Sequence, residues 1–99
     1  MVYAASAQEI PAGTKKEVLV NGASILIINH KGSFYAVEKE CPHQGAPMNQ
    51  ALVKEDYISC PRHGYRFNLS SGGCKEHPSF TLATWKVIEQ DGGLYLEMG

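Results

Sequence analysis

Short apolar runs alternate with turn signals along the first forty residues. The runs are EVLV (17–20), ILII (25–28) and FYAV (34–37), and the dipeptides between them are Asn21-Gly22 and Lys31-Gly32. Asn-Gly between two apolar runs favours a type I′ hairpin, because that turn needs positive φ at both central residues. The pattern therefore predicts a β-meander.

A closing hairpin is predicted near the end of the sequence. Apolar and polar residues alternate over residues 83–88 and again over 94–98, with Asp91-Gly92-Gly93 between the two segments. No segment combines a 3.6-residue apolar period with helix caps. We therefore predict an all-β fold, an antiparallel β-sandwich or small barrel.

The middle of the chain, residues 40–80, breaks this pattern. It is rich in Pro, Gly, His and Cys, and DYISC (56–60) and YRFNL (65–69) are its short strand candidates. We predict one domain over residues 1–99, with a basal β part (1–39 and 81–99) and an inserted, loop-rich part (40–80). Long loops are costly to order, so loops that carry several metal-ligating side chains suggest that a metal organises them.

Composition narrows the possible functions. The 99 residues carry a net charge of −1, are 43% apolar and are 19% charged, which argues against disorder and against a broad attraction to nucleic acid. No apolar run approaches the roughly 18 residues of a membrane span, and the first residues lack the basic and apolar regions of a signal peptide. We expect a cytoplasmic protein with no nucleic-acid or membrane partner. Three cysteines cannot all pair internally, so metal binding is favoured over a disulfide framework.

Two cysteine–histidine pairs are the candidate metal ligands. Cys41 and His43 form a C-x-H pair, Cys60 and His63 form a C-x-x-H pair, and sixteen residues separate the pairs. Thiolates suit ferric iron in a sulfide-bridged cluster, whereas neutral imidazole donates less charge. Two thiolates on one iron and two imidazoles on the other would give a [2Fe–2S] centre with less negative charge than a four-cysteine cluster, and so one that is easier to reduce.

Other chemistries remain open for the same residues. A structural Cys₂His₂ zinc site would use the same four donors, although zinc motifs usually pair like ligands. A Cys–His nucleophilic dyad needs one activated thiolate, and the duplicated pairs argue against it. Cys74 has no partner histidine at ligand spacing and is expected to be a free thiol near a turn.

The segments CPHQGAPM (41–48) and CPRHGYRFNLSSG (60–72) resemble the two cluster-binding loops of the Rieske [2Fe–2S] family. The resemblance extends over nearly the whole chain and implies a Rieske-like fold with one [2Fe–2S] cluster. It implies that Cys41 and Cys60 hold the inner iron and that His43 and His63 hold the outer one. It also places Pro78 in a third loop that covers the cluster.

The chain departs from the respiratory and photosynthetic members of that family. Ala46 and Arg62 stand where those members carry a disulfide, and Tyr65 and Phe67 stand where they tend to have a serine and a tyrosine. Phe67 cannot donate a hydrogen bond to a cluster sulfur, and such bonds stabilise the reduced state. We therefore expect a reduction potential at the low end of the Rieske range, about −150 mV.

The resemblance implies a function as a soluble one-electron carrier, with no catalytic residues of its own. In the family, such a ferredoxin passes electrons from a NAD(P)H-dependent flavoprotein reductase to a terminal oxygenase, commonly an aromatic-ring dioxygenase, through transient contacts as a monomer. Arg62, Arg66 and Lys75 could orient an acidic partner. Two alternatives are a small Rieske-like subunit of a nitrite reductase or another oxidoreductase complex, and a zinc-stabilised binding module without redox activity.

Overall fold

The computed structural model describes residues 1–42, 45–62 and 64–98. Within these ranges the chain forms nine strands and one short 3₁₀ helix, Ala7–Glu9. The strands are β1 (Val2–Ser6), β2 (Lys15–Val20), β3 (Ala23–His30), β4 (Ser33–Glu38), β5 (Val53–Lys54), β6 (Tyr57–Ser59), β7 (Arg66–Asn68), β8 (Thr84–Gln90) and β9 (Gly93–Glu97). In the described part of the chain, no helix has the length and apolar character needed to cross a membrane.

Six strands form one antiparallel sheet in the order β1-β9-β8-β4-β3-β2. The two outer strands of this order, β1 and β2, lie against each other, so the sheet curls into a nearly closed barrel. Closure protects strand edges that would otherwise pair with other chains. The all-β prediction is confirmed, and of its two forms the small barrel is the one observed.

Three hairpins of this barrel, β2–β3, β3–β4 and β8–β9, have two-residue loops, and both residues of each loop have positive φ. The loops are Asn21-Gly22, Lys31-Gly32 and Asp91-Gly92, with φ between 51° and 85°. Val20 pairs with Ala23 across the first loop, as a two-residue type I′ turn requires. The hairpins predicted from the turn dipeptides are therefore confirmed.

Strand β3 is apolar on both faces because each face packs against a different apolar cluster. Ile25 and Ile27 belong to the cluster that β1, β2 and β9 also supply, which fills the barrel. Leu26 and Ile28 belong to a second cluster, built largely from residues 41–82. A strand buried on both faces appears in the sequence as a continuous apolar run, which explains ILII.

A small sheet, β5-β6-β7, packs on the outer face of the barrel. Its inward side chains Ile58 and Phe67 are fully buried in the second cluster, beside Leu26 and Ile28. Both Cys41 and Cys60 lie in that same cluster. The shared core therefore fixes the loops that carry the cysteines relative to the barrel.

Candidate metal centre

The first candidate loop begins at Cys41, three residues after β4 ends. The Cys41 N–H donates to the Ala46 carbonyl at 2.8 Å, and the Gly45 N–H donates back to the Cys41 carbonyl at 2.7 Å. The Met48 N–H donates to the Lys39 carbonyl at 2.7 Å and closes the stem of the loop. Backbone hydrogen bonds thus hold Cys41 close to Gly45 and Ala46.

The second candidate loop, which begins at Cys60, has the same hydrogen-bond pattern. The Cys60 N–H donates to the Tyr65 carbonyl at 2.8 Å, and the Gly64 N–H donates to the Cys60 carbonyl at 2.8 Å. Gly45 and Gly64 have φ of 69° and 71°, values that glycine adopts without steric cost. The described residues of the two C-P-x-x-G segments therefore share the same backbone hydrogen bonds and the same glycine conformation.

Both cysteine side chains are almost fully buried, each with 1% of its surface exposed. Their neighbours in the second apolar cluster include Met48, Ile58 and Phe67. An isolated thiolate is unfavourable in such surroundings, because burial removes its hydration. A ferric ion would compensate that charge, so two buried thiols on matched loops fit the protein-facing half of a [2Fe–2S] cluster.

The other two predicted ligands, His43 and His63, lie outside the described residues. The ligand set of Cys41, His43, Cys60 and His63 therefore stays a prediction. Among the side chains of residues 1–42, 45–62 and 64–98, no three from His, Cys, Asp and Glu are grouped to hold a metal ion.

A third loop, residues 74–80, lies beside the second. The Lys75 N–H donates to the Arg66 carbonyl at 2.8 Å. The rings of Tyr65, His77 and Phe80 form a group that we call the ring cluster, with centroids 5.0 Å apart for Tyr65 and His77 and 6.1 Å apart for Tyr65 and Phe80. Pro78 lies exposed in this loop. The third loop is therefore held against a residue of the second.

Cys74 begins the third loop and forms no disulfide. Its side chain is buried, with 5% of its surface exposed, and its sulfur accepts the His77 N–H at 3.4 Å. The expectation of a free thiol is confirmed. The structure adds that the thiol stabilises the third loop from inside.

Two carboxylates brace the loops. Glu17, on β2, accepts a hydrogen bond from the Asn49 amide at 3.0 Å and pairs with Lys39 at 3.2 Å, which ties both sides of the first loop to the barrel. The Asn49 bond, followed by the Lys39 bond, lowers the pKa of Glu17. Glu76 accepts the backbone N–H of Arg66, and this bond is the main reason that its pKa is lowered. The sequence contains no local signal for either brace, because the partners are distant along the chain.

The expected positive charge near the second loop is partly compensated. Arg66 forms an ion pair with Glu76 at 2.6 Å, and the Lys75 ammonium lies 5.3 Å from the centre of the Tyr57 ring. Both side chains therefore have partners within the chain, which weakens the case for a strongly basic docking surface.

Comparison with known proteins identifies relatives along most of the chain. A family model described as the Rieske [2Fe-2S] domain matches residues 1–86. The ferredoxin CarAc of Metapseudomonas resinovorans is 31% identical over 93 residues, which are 92% of this chain and 87% of that protein. The ferredoxin component of naphthalene 1,2-dioxygenase/salicylate 5-hydroxylase systems of Ralstonia sp is 35% identical over 71 residues, 72% of this chain and 68% of that protein.

Some relatives are much longer than this chain. Apoptosis-inducing factor 3 of Homo sapiens is 31% identical over 71 residues, and the match covers 72% of this chain but only 12% of that protein. The nitrite reductase [NAD(P)H] of Emericella nidulans is 28% identical over 98 residues, which cover 89% of this chain and 9% of that protein. The chain therefore spans about a tenth of the length of these relatives.

Solved structures share the fold. The Sphingomonas yanoikuyae B1 ferredoxin has a TM-score of 0.87 at 20% identity, with 99% of this chain and 98% of that chain covered. A chain in a complex of reduced oxygenase and oxidised ferredoxin of carbazole 1,9a-dioxygenase has a TM-score of 0.83 at 28% identity, with 97% of this chain and 100% of that chain covered.

Proposed function

The chain belongs to the Rieske [2Fe-2S] domain family, and on that basis we propose that it is a one-electron carrier, a Rieske-type ferredoxin. Domains of this family bind a Rieske-type [2Fe–2S] cluster, which accepts and releases single electrons at potentials of about −150 to +300 mV. The observation that carries the proposal is that Cys41 and Cys60 make the same two backbone hydrogen bonds and are buried in one apolar cluster.

We assign the cluster ligands by their position in the two loops. Cys41 and Cys60 would bind the inner iron, and their burial supports this role because each thiolate needs a cation to compensate its charge. His43 and His63 would bind the outer iron as neutral imidazoles. Solvent-facing imidazole edges would shorten the distance to a partner's redox centre in a small, transient interface.

The proposed electron donor is a NAD(P)H-dependent flavoprotein reductase, and the proposed acceptor is a terminal oxygenase, most simply that of an aromatic-ring dioxygenase system. Two observations support the acceptor. One relative that matches over 68% of its own length is a ferredoxin component of dioxygenase systems. Another similar chain belongs to a solved complex of oxygenase and ferredoxin. We place the carrier in the cytoplasm, as a monomer.

A second candidate function is a small subunit or domain of an assimilatory nitrite reductase. Its support is the similarity to the nitrite reductase of Emericella nidulans, which extends over 98 residues. Purification of the protein at its natural level separates the two candidates. A stable complex with a large partner favours the subunit, whereas a monomer that exchanges electrons with a reductase favours the carrier.

The test of the redox function is spectroscopic. Protein purified without oxygen should be red-brown, and after dithionite reduction its low-temperature EPR spectrum should be rhombic. Its average g value should lie below that of four-cysteine clusters, because two imidazoles bind one iron. A colourless, EPR-silent protein with one zinc ion per chain would contradict the proposal and support the zinc-stabilised module.

A further inference from the structure

Glu76 joins the second loop to the third. One of its carboxylate oxygens accepts the Arg66 backbone N–H at 2.8 Å, and the other accepts the Arg66 Nε–H at 2.6 Å. The Arg66 carbonyl in turn accepts the Lys75 N–H at 2.8 Å. Three hydrogen bonds therefore connect Arg66, at the start of β7, to Lys75 and Glu76 of the third loop.

The third loop is also closed on itself. The Cys74 N–H donates to the Phe80 carbonyl at 3.3 Å, and the Phe80 N–H donates to the His77 carbonyl at 2.9 Å. The His77 N–H donates to the Cys74 sulfur at 3.4 Å. With these internal bonds, the loop is expected to open and close as a unit rather than residue by residue.

The closed position of this unit brings it against the loop that carries Cys60. His77 and Phe80 contact the ring of Tyr65, and the carbonyl of Tyr65 accepts the N–H of Cys60. Direct contacts through Tyr65 thus connect the third loop to the backbone of Cys60, the proposed metal ligand. Glu76 is hydrogen-bonded to Arg66, the residue that follows Tyr65 in the sequence.

We propose that Glu76 is a positioning residue for the metal centre: its hydrogen bonds to Arg66 hold the third loop closed over the second loop and keep water and chelators away from the metal beside Cys60. The inference rests on the proposed function, in which Cys60 is a cluster ligand. An exposed ion pair alone contributes little to stability. Glu76 differs because it also accepts a backbone N–H, and because the bonded residues are ten apart along the chain, one at the start of β7 and the other in the third loop.

The chain offers a matched control in Glu9. One oxygen of Glu9 accepts the Ser6 backbone N–H at 3.0 Å, and the other pairs with Lys16 at 3.0 Å. The carboxylate again accepts one backbone N–H and pairs with one basic side chain, but the first bond is to Ser6 of β1 and the second joins the 3₁₀ helix to β2. Glu9→Ala therefore removes an equivalent brace at a distance in sequence from both cysteine loops.

The experiment compares the cluster-loaded wild-type, Glu76→Ala and Glu9→Ala proteins with two measurements. The first is hydrogen exchange of the segment 74–80 by mass spectrometry, and the second is the rate at which an iron chelator bleaches the visible absorption. For Glu76→Ala we expect both rates to rise about tenfold, as local opening becomes easier. For Glu9→Ala we expect neither to change. Glu76→Gln keeps an acceptor oxygen for the Arg66 N–H and should give intermediate rates.

Two results would overturn the proposal. Unchanged exchange of residues 74–80 in Glu76→Ala would mean that Glu76 does not hold the loop. Faster exchange with unchanged bleaching would mean that the loop does not protect the metal. Failure of the proposed function is recognised separately, from the iron content and EPR spectrum of the wild-type protein, and the exchange measurement judges the Glu76 brace in either case.

Discussion

Gly45 and Gly64 have the same conformation and the same hydrogen-bond partner relative to the cysteine that precedes each of them. Each lies four residues after a cysteine, has φ near 70°, and donates its N–H to the carbonyl of that cysteine, at 2.7 Å and 2.8 Å. Each cysteine also donates its own N–H to the residue five positions later. The same backbone hydrogen bonds thus occur at both buried cysteines, and this repetition is the structural basis of the proposed cluster site.

The three cysteines should differ in their effect on the cluster. Cys41→Ala and Cys60→Ala should abolish the visible absorption and the bound iron, because each removes a proposed thiolate ligand. Cys74→Ala is the control, since Cys74 is also buried but binds the His77 N–H instead. It should keep full iron content. Retained colour in either of the first two variants, measured at equal protein concentration, would contradict the ligand assignment.

Gly72 should be intolerant of any side chain. A Cβ at this position would lie 1.9 Å from the Leu82 carbonyl oxygen, whereas a Cβ at Gly22 would meet nothing within 4 Å. Both glycines have positive φ, 78° and 81°, so the comparison isolates the steric clash. We expect Gly72→Ala to lower the free energy of unfolding by about 3 kcal/mol or more, and Gly22→Ala by about 1 to 2 kcal/mol. Urea denaturation measures both, and equal losses would show that the contact between Gly72 and Leu82 can relax.

The Glu17 brace should make stability depend on pH. Its hydrogen bonds with Asn49 and Lys39 lower its pKa in the folded state below the ordinary value of 4.5. The folded state then binds fewer protons than the unfolded state, so the stabilisation is present above pH 4.5 and is lost as pH falls toward the folded pKa. The difference in unfolding free energy between wild type and Glu17→Gln should therefore be largest at neutral pH and shrink on acidification.

The control for this measurement is Glu89→Gln, which removes an exposed carboxylate from β8. It should change stability less than Glu17→Gln at pH 7. A Glu17→Gln deficit that grew as the pH fell below 4.5 would reverse the expected sign and contradict the role of the brace.

The reduction potential should lie near the low end of the Rieske range, about −150 mV. Phe67 is fully buried in the second apolar cluster, which also contains both cysteines, and has no hydroxyl to donate to a sulfur. Fewer donors leave the extra negative charge of the reduced state less stabilised. Potentiometry followed by EPR measures this value, and a potential near the upper end of the range, about +300 mV, would contradict the argument.

Proton uptake should accompany reduction. If His43 and His63 bind the outer iron, the negative charge added on reduction holds their ring protons more tightly. The potential should then fall as the pH rises through the imidazole pKa of the oxidised protein. A potential that stayed constant over the whole accessible pH range would contradict this coupling of electron and proton uptake.

Local chemistry made much of this structure predictable from the sequence. The Asn21-Gly22 turn sets its own register, because two-residue loops with positive φ match the twist of the flanking strands. The two C-P-x-x-G segments were also recognisable as a pair from the sequence, because cysteine, proline and glycine at fixed spacing restrict the backbone within a few residues. Strand β1 had no such signal, because Ala5 is the one buried residue among its five.

The sequence by itself determined the hairpins, the all-β class and the candidate ligands, because each depends on interactions between residues close together in the chain. The tertiary structure alone decided how the barrel closes, with β1 against β2, and why β3 is apolar on both faces. It also decided that Glu76 binds Arg66 and that Gly72 meets Leu82. These contacts join segments that come together only when the sheets pack, and the free energy that selects them is that of the whole core rather than of any local motif.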